Sequence, residues 1–76
     1  MSRFIVFIPS GKVFEDDDIE HSKYYALGTY VYDREYYAWY CSIVKTKDQH
    51  GQIYKWLQVP ESHVPRKFRC QKLIFA

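Results

Sequence analysis

Hydrophobic residues occur in short segments that are separated by polar or turn-forming residues. Residues 3–8 are apolar from the second position onward, which is typical of a strand covered on both faces. Residues 9–12 (Pro-Ser-Gly-Lys) predict a turn, and residues 13–14 would begin a second short strand. The acidic run at residues 15–18 favours contact with solvent and predicts an exposed loop.

A tyrosine-rich region then predicts a hairpin. Residues 23–32 and 35–46 are dominated by Tyr, Val, Trp and Ile, which favour half-buried strands. Between them, residues 33–34 (Asp-Arg) would form a tight two-residue turn, although this pair lacks the glycine of the best hairpin turns.

The length of this turn sets which side chains face one another across the hairpin. With two residues in the turn, Tyr30 faces Tyr37, and Gly28 faces Trp39, whose indole would lie over the bare backbone of the glycine. A turn of three residues would shift both pairs, and the sequence leaves the register open.

The last part of the chain predicts two further strands around a proline-containing turn. Residues 52–59 alternate as a strand, after a polar turn at 47–51. Residues 60–65 contain two prolines and predict a loop or one turn of 3-10 helix, and residues 68–75 predict a final strand. The chain is therefore predicted to be one mainly β domain over residues 1–76, a small five-stranded antiparallel meander or barrel with at most one short helix or 3-10 turn.

The segment Trp-Leu-Gln-Val-Pro-Glu-Ser-His-Val, residues 56–64, resembles the end of an SH3-like domain. In that family a strand leads into a proline-bearing 3-10 turn, and Trp39 is similar to a tryptophan of the family. The resemblance implies an SH3-like barrel, with an OB-like barrel as the alternative, and would place Trp39, Pro60 and His63 along a groove that binds proline-rich peptides. The family's tyrosine-containing opening motif is absent and a groove tyrosine is replaced by histidine, so the resemblance bears on architecture and not on the ligand.

Composition and charge narrow the class of protein. The chain has 76 residues, of which 20% are aromatic, and a net charge of +2. Residues 1–22 have a net charge of −3 and residues 45–76 a net charge of +5, a polarity that could orient a partner or bring the two ends together.

The apolar run at 4–8 is too short for a signal sequence or a membrane span, so we expect a cytoplasmic protein without a membrane partner. Cys41 and Cys70 would then be reduced, although a disulfide between neighbouring strands would be compatible with the sequence.

No group of residues indicates catalysis. The acidic run lacks the spaced oxygen ligands and the glycine of a calcium-binding loop. The histidines and cysteines lack the close spacing of zinc ligands, and the three glycines are isolated, unlike those of a phosphate-binding loop. We therefore expect a protein that is not an enzyme and that uses neither a metal nor a cofactor.

The abundance of tyrosine suggests a binding function. Seven of the eight tyrosines lie within residues 24–40 and occupy alternate faces of the predicted hairpin, so one set would line the core. The other set would be either covered by the rest of the domain or exposed as a binding surface. The first hypothesis is a small module, an adaptor or inhibitor, that docks onto another protein; its size is typical of viral or phage proteins. The residues predicted to bind are Tyr30, Tyr32, Tyr36, Trp39 and Tyr40.

The alternative hypothesis is binding of single-stranded nucleic acid. Tyrosines would stack on bases while basic side chains follow the backbone. The acidic run and the small net charge argue against this hypothesis. An open sheet edge would also allow a homodimer, which is compatible with either function. The basic residues assigned to the nucleic-acid hypothesis are Lys55, Arg66, Lys67, Arg69 and Lys72.

Overall fold

The computed structural model describes residues 2–19, 26–48 and 51–75, which form five antiparallel strands and two helices. The strands pair in the order β2-β1-β3-β4-β5, so that β2 and β5 are the edges of the sheet formed by the described residues. The mainly β class with five antiparallel strands and a 3-10 turn is confirmed. The elements are β1 (Phe4–Phe7), β2 (Val13–Asp16), β3 (Tyr30–Asp33), β4 (Ala38–Asp48), β5 (Gly51–Val59), a 3-10 helix (Glu61–His63) and α1 (Arg66–Phe75).

Strand β1 lies in the interior of the sheet and is buried on both faces. Because side chains alternate along a strand, Ile5 and Phe7 point to one face and Phe4 and Val6 to the other. All four are at most 6% exposed. The prediction of a strand covered on both faces is therefore confirmed.

One face of the sheet is covered by α1, and we call it the helix face. The Phe68 ring of α1 stacks on Phe7, with ring centroids 5.4 Å apart, and lies 5.8 Å from the ring of Tyr30. Aromatic packing of this kind gives a short chain a large buried area from few residues. The buried residues of the helix face are Ile5, Phe7, Trp39, Val64 and Phe68.

The other side of the sheet, which we call the opposite face, has a smaller buried cluster. Phe4, Val6 and Val31 form its centre. Trp56 packs against this cluster, and its indole N–H donates a hydrogen bond to the carbonyl oxygen of Ile19 at 2.7 Å. The chain that follows β2 is thus fixed to this face of the sheet.

The prediction of a final strand over residues 68–75 is wrong, because the structure forms α1 there. The carbonyl oxygen of Pro65 accepts hydrogen bonds from the backbone N–H groups of Phe68 and Arg69, which starts the helix. Proline suits the first turn of a helix because its φ angle is already helical and its missing N–H needs no partner. Buried Phe68 and half-buried Lys72 are four residues apart, so both face the sheet from one side of α1.

The predicted two-residue turn of the central hairpin is also wrong. Asp33 pairs with Ala38, so the turn contains the four residues 34–37, and Tyr30 faces Cys41 rather than Tyr37. The Asp33 carboxylate accepts the backbone N–H of Glu35 at 2.9 Å, which stabilises the wider turn. At this end the second strand accordingly begins at Ala38 instead of residue 35, whereas the first ends at Asp33, one residue beyond the predicted end at 32.

Three smaller predictions concern turns and loops. The turn at residues 9–12 is confirmed, with Gly11 at a φ of +98°. Gly28 lies outside the strands at a φ of +92° and is close to Pro9, so it does not face Trp39. The acidic run is only partly a loop, since its first two residues belong to β2 and the next two are exposed.

Two further observations complete the fold. Both cysteines are free, and Cys41 is half-buried whereas Cys70 is exposed, so the disulfide that the sequence allowed is absent. Among the described residues, no helix is both long and apolar enough to cross a membrane.

Candidate functional site

A pocket of about 390 Å³ opens beside the turn between β3 and β4, next to the end of β5 and the last turns of α1. Its walls combine aromatic rings, a proline, an amide and one ion pair. The lining residues are Tyr32, Tyr37, Ala38, Trp39, Gln58, Val59, Pro60, Glu61 and Lys72.

One row of the sheet supplies part of the pocket wall. Tyr32 pairs with Trp39 across β3 and β4, and Trp39 pairs with Val59 across β4 and β5. Residues directly opposite one another in an antiparallel sheet project from the same face, so the three belong to the helix face. The rings of Tyr32 and Trp39 are 5.1 Å apart.

Lys72 brings a positive charge from α1 to the aromatic wall. Its ammonium nitrogen lies 4.6 Å from the ring centroid of Tyr32 and 6.0 Å from that of Trp39. The same nitrogen is 3.2 Å from a carboxylate oxygen of Glu61. The side chain of Lys72 is 22% exposed and that of Glu61 is 54% exposed, so the carboxylate is the outer partner of this pair.

The indole N–H of Trp39 has no acceptor among the residues that the structure describes. Trp39 is 3% exposed, and its Nε1 atom is buried without a hydrogen-bond partner among the described residues. Buried polar groups nearly always have a partner, because the desolvation of an unpaired one costs free energy. This donor therefore needs an explanation beyond the packing of the core.

Tyr37 occupies the rim of the pocket in an unusual backbone conformation. Its φ angle is +52°, and Tyr37 is the only residue other than glycine among the described residues with a positive φ. It is also 82% exposed, so the ring gains little from packing within the chain. A left-handed conformation costs a residue with a Cβ atom about 1–2 kcal/mol relative to the right-handed one.

Tyr36, next to it in the turn, is held by a charged group instead. The guanidinium carbon of Arg3 lies 5.1 Å from the ring centroid of Tyr36, which is 65% exposed. Arg3 also bonds to both carboxylate oxygens of Asp33, at 2.9 and 3.0 Å. Burial alone would raise the pKa of Asp33, but the hydrogen bonds from Arg3 and from the backbone N–H of Glu35 outweigh it and hold that pKa below its usual value.

The structure separates the five residues that the sequence assigned to protein binding. Tyr32 and Trp39 line the pocket, and Tyr36 is exposed on the neighbouring turn. Tyr30 is half-buried and packs on the helix face. Tyr40 pairs with Val31 and therefore lies on the opposite face, away from the pocket.

The sequence did not indicate that Tyr37, Glu61 and Lys72 lie together in the pocket. Lys72 had been assigned to the nucleic-acid hypothesis, and Glu61 to a loop. Their proximity depends on α1, so the proline before residue 66 and the four-residue spacing of Phe68 and Lys72 were the signals that could have revealed it.

The five basic residues of the nucleic-acid hypothesis do not form one line. Lys55 is exposed on β5, whereas the other four lie on α1. Arg66 and Lys67 are exposed, Arg69 is half-buried, and Lys72 belongs to the pocket. Helical geometry spreads these four around the axis instead of aligning them.

The three residues implied by the SH3-like resemblance are also divided. Trp39 and Pro60 line the pocket, whereas His63 is exposed in the 3-10 helix and is not part of the lining. Comparison of the chain with protein-family models, with curated proteins and with solved structures found no match.

Proposed function

We propose that the protein is a non-enzymatic binding module that docks onto another protein through the pocket and the adjoining turn at residues 34–37. In this proposal it acts as an adaptor or inhibitor. A segment of the partner enters the pocket, and the exposed rings of Tyr36 and Tyr37 contact the partner beside it.

The observation that carries this proposal is the combination of strain and exposure at Tyr37. A glycine or asparagine would take the left-handed conformation at lower cost, and the ring of Tyr37 has little contact with the rest of the chain. Residues held in sparsely populated backbone conformations cluster at functional sites. Tyrosine is also among the residues that contribute most to protein interfaces.

The pocket supports the same proposal by its size and chemistry. A volume of about 390 Å³ lies within the range of ligand sites, and the lining combines rings with polar groups. The walls at Trp39, Val59 and Pro60 suit an apolar side chain, while Lys72 and Glu61 can fix its orientation.

The proposal can be tested by selecting peptides from a phage-displayed library on the immobilised protein and measuring their affinity by calorimetry. Tyr37→Gly is expected to weaken binding by about tenfold or more, as loss of an interface tyrosine does. It is expected to leave the free energy of unfolding unchanged or raise it by about 1 kcal/mol, because the strain is relieved. This combination separates a binding role from a structural one.

Leu73→Ala is the matched control, because Leu73 is 74% exposed on α1 and does not line the pocket. It is expected to leave both affinity and stability unchanged. If the library yields no binding peptides, or if Tyr37→Gly binds them as tightly as the natural chain does, the proposal is wrong.

Binding of single-stranded nucleic acid is the second candidate, and one observation favours it. Helix α1 has four basic residues and no acidic residue. Fluorescence anisotropy with labelled single-stranded DNA and RNA, at low and at near-physiological salt, tests this candidate. Binding that falls steeply with salt and is lost on reversing the charges of Arg66 and Lys67 would support it, and no binding at low salt would remove it.

Self-association through a sheet edge is compatible with both candidates. Strand β5 is an edge among the described residues and has the exposed side chains of Lys55, Leu57 and Gln58. Such edges can pair with a second copy. Light scattering over a range of concentrations would reveal a dimer, and Leu57→Lys would be expected to weaken it.

A further inference from the structure

The charged side chains of the pocket and of α1 are mostly basic. Lys72 supplies an ammonium group to the pocket. On α1, Arg66 and Lys67 are exposed, and the Nε atom of Arg69 is buried without a partner among those residues. Glu61 is the only acidic residue in the pocket lining.

The carboxylate of Glu61 holds a position that another carboxylate could take. It contacts the ammonium nitrogen of Lys72 at 3.2 Å, but its own side chain is 54% exposed. Exposed ion pairs contribute little to stability, because water and salt screen them. Lys72 itself is held in place by the rings of Tyr32 and Trp39, so it would remain available to a ligand.

We propose that the pocket binds an acidic segment of the partner protein, with a carboxylate of that segment replacing Glu61 on Lys72. An apolar side chain next to that carboxylate contacts Trp39 and Pro60. Further acidic residues of the segment face the basic side chains of α1. This inference rests on the proposed function and adds the chemistry of the ligand.

A polypeptide fits these groups better than a nucleic acid does. Stacking of successive bases needs a series of exposed rings. Of the tyrosines whose side chains the structure describes, Tyr30, Tyr32 and Tyr40 are at least half-buried, and only Tyr36 and Tyr37 are largely exposed. The pocket also offers apolar walls at Val59 and Pro60, which an acidic peptide with aliphatic side chains can use and a phosphate backbone cannot.

The test measures fluorescence anisotropy at near-physiological salt with three labelled probes. These are a peptide of alternating glutamate and leucine, the same peptide with glutamine for glutamate, and a single-stranded oligothymidylate. The acidic peptide is expected to bind at least about tenfold more tightly than the glutamine peptide, as charge-assisted hydrogen bonds to Lys72 would produce.

Lys72→Met keeps most of the length of the side chain and removes its charge. It is expected to weaken binding of the acidic peptide about tenfold and to leave the glutamine peptide unaffected. Lys12→Met is the matched control, since Lys12 is exposed beside the turn before β2 and does not line the pocket. Circular dichroism of both variants checks that they are folded.

The two indole N–H resonances give a second readout in the natural protein. Trp39 lacks an acceptor among the described residues, and Trp56 already donates to Ile19. On addition of the acidic peptide, the indole resonance of Trp39 is expected to shift, because its ring lines the pocket. That of Trp56 is expected to stay in place.

Two outcomes would overturn this inference. Equal affinity for the acidic and the glutamine peptides would exclude a role for the carboxylate, and tighter, Lys72-dependent binding of oligothymidylate would assign the surface to nucleic acid. The proposed function is tested separately. If peptides selected from the library depend on Tyr37 but lack acidic residues, the pocket is upheld as a binding site and only its acidic ligand is refuted.

Discussion

The two faces of the sheet differ in whether their buried polar groups have hydrogen-bond partners. On the opposite face, Asp33 is bonded to Arg3, the Ser42 hydroxyl donates to the carbonyl oxygen of Ala26 at 2.9 Å, and the indole of Trp56 has an acceptor. On the helix face, the indole of Trp39 lacks a partner among the described residues.

Under the proposed function, this difference distinguishes a face that serves folding from a face that takes part in binding. Each satisfied polar group on the opposite face removes a desolvation cost, as expected where structure alone is at stake. On the helix face, the residue whose donor has no partner among the described residues lines the pocket, beside a lysine with an exposed counter-ion.

The largest expected effect comes from removing the contact that fixes α1 to the helix face. Phe68→Ala removes a ring that is 2% exposed and stacks on Phe7. Such truncations cost about 3–5 kcal/mol, a large part of the stability of so small a domain. Urea denaturation followed by circular dichroism is expected to show a midpoint shifted far to lower urea, or an unfolded chain.

Lys67→Ala is the control for this prediction, because Lys67 is exposed on the same helix. Its effect on the free energy of unfolding is expected to lie within about 0.5 kcal/mol. If Phe68→Ala were as mild as Lys67→Ala, α1 would contribute little to the fold, and the pocket that depends on it would not be a stable feature.

A smaller effect is expected from the charged group buried on the opposite face. Asp33→Asn removes a carboxylate that is 1% exposed and bonded to Arg3, which is expected to cost about 1–3 kcal/mol at neutral pH. The folded-state pKa of Asp33 is lowered, so its contribution is present above the ordinary aspartate pKa of about 3.9 and is lost as the pH falls below it.

Urea denaturation at several pH values can isolate this contribution. The natural chain is expected to lose stability as the pH falls below about 4, and Asp33→Asn is expected to lose less over the same interval. Asp17→Asn, at an exposed position after β2, serves as the control. Identical pH dependence in Asp33→Asn and the natural chain would contradict the prediction.

Much of the sheet could be predicted from the sequence, because its strands follow local hydrophobic patterns. Residues 4–7 and 51–59 lie within or nearly match the predicted strands, and the turn at 9–12 has its own glycine and proline signals. The 3-10 helix follows from its prolines in the same way. The class of the fold could be predicted for this reason.

The site depended on features that local patterns do not determine. Residues 68–75 mix residues that favour strands (Phe, Cys and Ile) with helix formers (Arg, Gln, Lys and Leu), so propensity alone does not decide, and the helix places Phe68 against the sheet. The turn at residues 34–37 lacks glycine, and the bond from the Glu35 N–H to Asp33 that widens it is visible only in three dimensions. The pocket needs both elements, so the sequence could suggest Tyr32, Trp39 and Pro60 but not the proximity of Tyr37, Glu61 and Lys72 to them.

The smallest expected effect comes from removing the indole N–H of Trp39 and of Trp56 in turn and comparing the stability of the two variants. β-(3-Benzothienyl)alanine replaces the indole N–H with sulfur and keeps the shape of the ring, and chemical synthesis can place it in a chain of 76 residues. At Trp56 it removes the donor to Ile19 and is expected to cost about 1 kcal/mol of unfolding free energy. At Trp39 it removes a donor that has no partner among the described residues, so stability is expected to stay the same or rise.

Because ring size is unchanged in both variants, packing cannot explain a difference between them. Equal losses at the two positions would mean that the Trp39 N–H is already satisfied in the free protein, and the contrast between the two faces would then be wrong.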